Sequence, residues 1–198
     1  MTDSDRLLAG AAAYNVAEFR VAETVWTGGG ERPLFTGLAT LADAVAAGRA
    51  GEWSAATTAA EQARDLLAGV DDAPVSLPPL GRWLDAFLAD PESVERGRPP
   101  AVVVDGERRL PETLPLAAAG LAAVALAETG AYDAEVVADA VRFAEREEYP
   151  DESTYATFLR DFVGNPEQRA VVFQRLEGLV ERERRKERDV SGLFDDEG

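Results

Sequence analysis

Across 198 residues the chain carries 37 acidic and 20 basic side chains, a net charge of −17, with neither histidine nor cysteine. Those absences exclude disulfides, thiolate metal sites, Ser-His-Asp and Cys-His nucleophile systems, and zinc sites of ordinary composition. Apolar residues make up 46% of the chain, which supports one core and argues against wholesale disorder.

The acids are spread along every amphipathic segment and are not gathered into blocks, so a carboxylate-coated surface is expected. Such a coat repels itself at low ionic strength and is tolerated when salt screens it, with a Debye length of ~3 Å at 1 M. Every basic residue but Lys186 is arginine, isoleucine is absent, and alanine takes many positions open to larger aliphatics. Together these features resemble proteins of salt-accumulating archaea with GC-rich genomes. The opening Met1-Thr2-Asp3-Ser4-Asp5 is acidic where a signal peptide is basic. The longest uncharged apolar run, Leu114 to Ala127, is shorter than the ~20 residues that span a bilayer. A cytoplasmic location without membrane attachment is the expectation.

In chain order, residues 3–26 are expected to form one helix, because Leu8, Ala12, Asn15, Phe19, Ala22 and Trp26 recur at three- and four-residue steps. Gly28-Gly29-Gly30 ends it. Pro33 opens a second helix to about Ala47, with Leu34, Leu38, Leu41 and Val45 inward and small residues on a neighbouring face. The link Gly48–Gly51 is so short that a third helix, about Glu52–Ala68, must fold back antiparallel on the second. A fourth follows near Pro78–Ala89, and Asp90-Pro91-Glu92 reads as the start of a short helical segment.

Val102-Val103-Val104, Asp105-Gly106 and Glu107-Arg108-Arg109 predict a β-hairpin. Further helices are expected over about Glu112–Glu128, from an Asp133 cap to Glu148, from a Ser153 cap to Val163, and from Asn165-Pro166-Glu167 to about Asp189. Beyond Leu179 the last of these has no inward apolar position, so residues 181–188 are expected to project into solvent. The fold class is therefore all-α, a compact multi-helix bundle with antiparallel helical hairpins and one short β-hairpin near 102–109. Residues 1–128 form a helical domain, 129–190 a helical extension packed on it, and 191–198 an acidic tail.

Chemistry is sparse. With no histidine the commonest general base and metal ligand are missing, and Lys186 stands in a charged helix. Gly28-Gly29-Gly30 follows a helix and lacks the Gly-Lys-Ser/Thr ending of a phosphate loop. Glu145, Glu147, Glu148, Asp151 and Glu152 offer oxygens to a divalent cation, but on a chain this rich in acids such clusters arise by chance and a solvated face is the better account. The basic run Arg182, Arg184, Arg185, Lys186 and Arg188 is interleaved with Glu181, Glu183 and Glu187, and the overall charge disfavours nucleic acid. Asn15 lies within an apolar stripe, where a buried amide must find partners or cost roughly 1–3 kcal/mol. It serves either as a structural amide bonding a nearby loop or as a site residue.

Tyr14-Asn15, Glu18-Phe19, Ala22-Glu23, Trp26 and the run Leu34-Phe35-Thr36-Gly37-Leu38-Ala39-Thr40-Leu41-Ala42 resemble the domain-of-unknown-function 309 family over roughly residues 7–128. Gly51-Glu52-Trp53 and Val104-Asp105-Gly106-Glu107 are similar to its salt-loving members. The resemblance implies a compact helical bundle with no established activity. Where the family carries Ala-His-Glu this chain has Ala22-Glu23-Thr24, so a site built on that histidine is lost.

The expectation is a non-catalytic interaction or scaffold domain with a protein partner, no catalytic or metal-ligating residues and no cofactor. The alternative is a small-ligand or divalent-metal site with weak activity near Asn15 and Glu23. On one continuous helix those two lie about 80° and ~12 Å apart and flank a single pocket.

Overall fold

The computed structural model describes residues 2–92 and 97–195. Among them are nine α-helices, one two-stranded hairpin and two single 3-10 turns, so the chain is all-α as its periodicity predicts. The helices are α1 (Asp3–Asn15), α2 (Phe19–Thr27), α3 (Pro33–Arg49), α4 (Trp53–Ala68), α5 (Leu77–Ala89), α6 (Leu116–Thr129), α7 (Ala134–Ala144), α8 (Thr154–Gly164) and α9 (Arg169–Asp195). The hairpin pairs β1 (Val103–Val104) with β2 (Glu107–Arg108).

The expected helix over 3–26 is two helices. α1 ends in a Schellman motif: the Glu18 amide donates to the Ala13 carbonyl at 2.9 Å and the Ala17 amide to the Tyr14 carbonyl at 3.0 Å. This ending needs a left-handed residue, and Ala17 supplies it at φ 69°. The same motif closes α3, where Gly51 holds the left-handed position at φ 76° and the Glu52 amide reaches the Ala47 carbonyl. A Cβ at that position costs roughly 1–2 kcal/mol. Ala17→Gly is accordingly expected to raise the unfolding free energy by about 1 kcal/mol, read as a higher urea midpoint with unchanged slope.

The break does not disturb the stripe. Ala12, Phe19, Ala22 and Trp26 are all buried, because α2 turns back onto α1 and brings its apolar face to the same core. Trp26 lies over Gly10, where an added Cβ would stand 2.3 Å from the indole nitrogen; only glycine permits this approach.

α3 and α4 form the predicted helical hairpin, the most extensive packing in the molecule. Ala56, Ala60, Ala63 and Leu67 of α4 are buried as their spacing requires. Further on, Pro115 splits the expected helix over 112–128. It holds Leu114 extended at ψ 139°, as a residue before proline must be, so a 3-10 turn at Pro111–Thr113 precedes α6. α6 then packs on α1 and α2 on one side and on α7 and α8 on the other, so its alanines line a single continuous core.

Asp133 and Ser153 cap α7 and α8 as predicted. α7 stops at Ala144, short of the expected Glu148: the four charges Glu145-Arg146-Glu147-Glu148 leave no face to bury. α9 begins one turn later than expected, at Arg169, and continues to Asp195. Residues 191–195 are therefore helix and not tail, and 196–198 lie outside the described residues, as does the short segment expected after Glu92. No helix among the described residues is long and apolar enough to cross a membrane.

Residues 181–188 do not project freely. Arg184 bonds Asp139 at 2.5 Å, Arg142 lies 3.1 Å from both Asp139 and Glu187, and Arg146 also pairs with Glu187. This five-member network holds α9 against α7 after the apolar seam of Leu176 and Val180 ends. Burial works to raise the Asp139 carboxyl, but the bonds from Arg184 and Arg142 outweigh it and hold it below the ordinary range. The bonds from Arg146 and Arg142 likewise hold Glu187 down. A depressed carboxylate pKa contributes stability that is present above the unfolded value and lost as pH falls through the folded one. Acidification below about pH 4 is therefore expected to release this end of α9 first, seen as amide exchange in 181–189 rising ahead of α3 and α4.

Candidate functional site

The break between α1 and α2 creates a concave site. Tyr14 and Asn15 end α1, Val16 and Ala17 form the turn, and Phe19 opens α2. Arg49 comes from the end of α3, Arg98-Pro99-Pro100-Ala101 from the segment before the hairpin, and Arg108 from β2. The cavity holds about 360 Å³, within the range of small-molecule sites.

Asn15 fixes this geometry. Its Nδ2 donates to the carbonyls of Val102 and Arg109, each at 2.9 Å, and its Oδ1 accepts from the Val102 amide at 2.8 Å. One amide thus locks both strands of the hairpin to the end of α1. The hairpin is tight because Asp105 (φ 52°) and Gly106 (φ 78°) both take the left-handed conformation a two-residue turn needs. Its other side rests on the loop before α5, where the Ser76 amide donates to the Val103 carbonyl at 3.0 Å and the Asp105 amide to Pro74 at 2.8 Å.

Behind the turn, Arg169 braces the site. Its Nη2 lies 2.6 Å from Glu18 Oε1, and the same guanidinium donates to the carbonyl of Phe162 at 3.0 Å. Glu18 is the N-terminal flanking residue of α2 but makes no capping bond, since its carboxylate is drawn to Arg169. The first-turn amides of α2 are left without that side-chain acceptor.

The electrostatics contrast with the rest of the surface. Arg49, Arg98 and Arg108 border the cavity, and none has a carboxylate partner among the described residues. Arg49 lies over the Phe19 ring at 4.9 Å, and Arg108 donates to the Asn15 backbone carbonyl at 3.2 Å. Tyr14 is buried against Phe19 and Trp26, with ring centroids at 5.0 and 6.0 Å. Its hydroxyl has no hydrogen-bond partner among the described residues. Burial pushes that hydroxyl far above the ordinary phenol range, only partly countered by the positive charge of Arg49. It therefore stays protonated at neutral pH and acts as a donor, never as a base.

Glu23 sits elsewhere. It pairs with Arg20 at 2.9 Å, Arg20 also reaches Asp43 at 2.6 Å, and Glu23 lines a separate shallow concavity with Asp43, Thr40 and Gln62. The structure does not bring Asn15 and Glu23 to one pocket, because the turn at Ala17 ends the helical geometry that would have placed both on one side. Among the described residues no group of three acids gathers to hold a metal ion. In the 145–152 stretch, Asp151 accepts from the Leu116 amide at 2.5 Å and pairs with Arg160, so it is engaged as a helix cap. A further concavity lined by Ala117, Gly120, Leu121, Val124 and Val141 is mostly apolar, though Arg6, Thr24, Glu128 and Glu145 also line it.

Sequence reasoning singled out Asn15 and missed the arginines. The signal was present: Arg49 stands in an acid-free stretch between Asp43 and Glu52, and Arg98 in another between Glu95 and Asp105. Each still has an acid three positions away, Glu52 or Glu95, so only the composition of these stretches, and not their spacing, sets the two arginines apart. Comparison with protein-family models, with curated proteins and with solved structures returned no match.

Proposed function

We propose that this chain acts by binding and not by turnover: a salt-adapted, cytoplasmic, non-catalytic interaction domain whose ligand site is the cavity at the α1–α2 break. The likeness to the domain-of-unknown-function 309 family belongs to the same reading. One observation carries it: a cavity whose geometry is fixed by the three hydrogen bonds of Asn15 is walled in part by Tyr14, whose buried hydroxyl has no partner among the described residues. A buried hydroxyl without a bond costs roughly 1–3 kcal/mol, a cost a bound group can remove. The cavity lining includes arginine, asparagine and a tyrosine that holds its proton, none of which shuttles protons near neutral pH.

The test is a thermal-shift screen of small neutral, cationic and anionic molecules in 2 M KCl, run on the natural chain and on Ala101→Trp, which fills the cavity. Saturable stabilisation of the natural chain alone is expected, since a ligand at 100 times its Kd adds about 2.7 kcal/mol. Stabilisation by no class of molecule, or equal stabilisation of the filled variant, contradicts the reading. Salt adaptation has its own test. With a net charge of −17, circular dichroism should show a lower melting temperature at about 0.05 M than at about 2 M KCl, and equal stability would refute the screened coat.

A further inference from the structure

We infer that the cavity at the α1–α2 break takes a small phosphate monoester with an apolar body, its phosphate held by Arg49, Arg98 and Arg108. This rests on the binding reading above and names the ligand class for the same site.

Three observations converge on an anion. The first is the set of guanidinium groups, one from the end of α3 and two from the hairpin and the segment before it, none committed to a carboxylate among the described residues. Chance placement on a chain of 37 acids against 20 bases works against such a grouping. The second is the buried Tyr14 hydroxyl, an unused neutral donor beside the Arg49 charge. The third is the start of α2, where Phe19 lines the cavity and the first turn has no capping side chain. Helix N-termini favour anions.

The count of donors selects the anion. One guanidinium satisfies a carboxylate with two parallel bonds, so three of them, with a hydroxyl, exceed what a single carboxylate absorbs. A phosphate monoester carries nearly two charges and three terminal oxygens at neutral pH, which matches the set. Pro99, Pro100, Val16 and Phe19 supply an apolar part of the wall that inorganic phosphate leaves uncovered. Long polyanions are disfavoured, because every further phosphate meets the acidic surface. A small ligand meets that repulsion once, and molar salt screens it over ~3 Å.

The experiment titrates the full chain in 2 M KCl with phenyl phosphate, benzoate, phenol and inorganic phosphate by calorimetry. Phenyl phosphate is expected to bind about tenfold more tightly than each of the other three. Arg98→Gln and Arg49→Gln should each weaken it about tenfold, and Tyr14→Phe about threefold, while the distant Arg175→Gln leaves it unchanged. The arginine substitutions are on exposed side chains, so the variants keep the fold. Equal affinity for phenol and phenyl phosphate, or benzoate binding as tightly as the phosphate, overturns the ligand class and leaves the binding reading standing. Phenyl phosphate affinity unchanged in Arg98→Gln and Arg49→Gln removes the arginines from the site and overturns the inference. If none of the four binds while a neutral or cationic fragment stabilises the chain, the class again falls alone; if no molecule of any class does so, both fall.

Discussion

Asn15→Asp is expected to lower the unfolding free energy by about 3 kcal/mol near neutral pH. The natural amide donates twice, to the Val102 and Arg109 carbonyls. The introduced carboxylate cannot donate, and it sets a charged oxygen against both. Only the bond accepted from the Val102 amide survives. The sign of the pH dependence follows. A carboxyl that gains by holding a proton has its folded pKa raised above the unfolded value of about 3.9. Its penalty is therefore smallest below about pH 4 and grows as the pH rises through the folded pKa. Asn15→Ala, which orphans the same carbonyls without adding charge, should be flat over that range. Urea unfolding at fixed KCl across pH 3.5–7 distinguishes the two. A loss below about 1 kcal/mol for Asn15→Asp at neutral pH would mean that the amide does not hold the hairpin.

Arg169→Met is expected to cost about 3 kcal/mol, a figure already reduced from the 3–5 of a fully buried pair. The two side chains are 13% and 24% exposed, so water screens them only in part. Removing the guanidinium strands the Glu18 carboxylate and withdraws a donor from the last carbonyls of α8. The double variant Glu18→Gln/Arg169→Met separates these contributions: it should recover the part due to the stranded charge and leave the part due to the uncapped helix. A double variant no more stable than Arg169→Met alone would assign the whole effect to α8. The pair joins residues 151 positions apart, so its loss should also loosen the turn that forms the cavity, seen as faster amide exchange at 16–19.

Periodicity revealed helices with a continuous inward face, as in the α4 stripe, while α6 was legible as an unbroken apolar run buried on most sides. Boundaries were legible where chemistry marks them, as at Pro33, Gly51, Asp133 and Ser153. The α1–α2 break was hidden because alanine, and not glycine, takes the left-handed position, and because α2 returns its stripe to the same core. The site depends on that hidden turn. Asn15 was visible as a polar residue in an apolar stripe, but its partners lie 87 and 94 positions away, and no local pattern specifies them. Arg49, Arg98 and Arg108 meet only after α3, the hairpin and the α1–α2 turn assemble. The charged end of α9 illustrates the reverse error: a helix without an apolar face was expected to stand alone, yet Asp139, Arg142 and Arg146 on α7 complete it.

The central claim is that this domain works through the cavity beside Asn15. Heteronuclear NMR of the labelled chain in 2 M KCl, titrated with the molecule that stabilises it most, tests that claim where it is most exposed. Amide shifts should change at 14–19, 98, 101 and 108 and stay fixed along α4 and α9. Shifts confined to the apolar concavity between α6 and α7, or chemical conversion of the titrant in the tube, would contradict it.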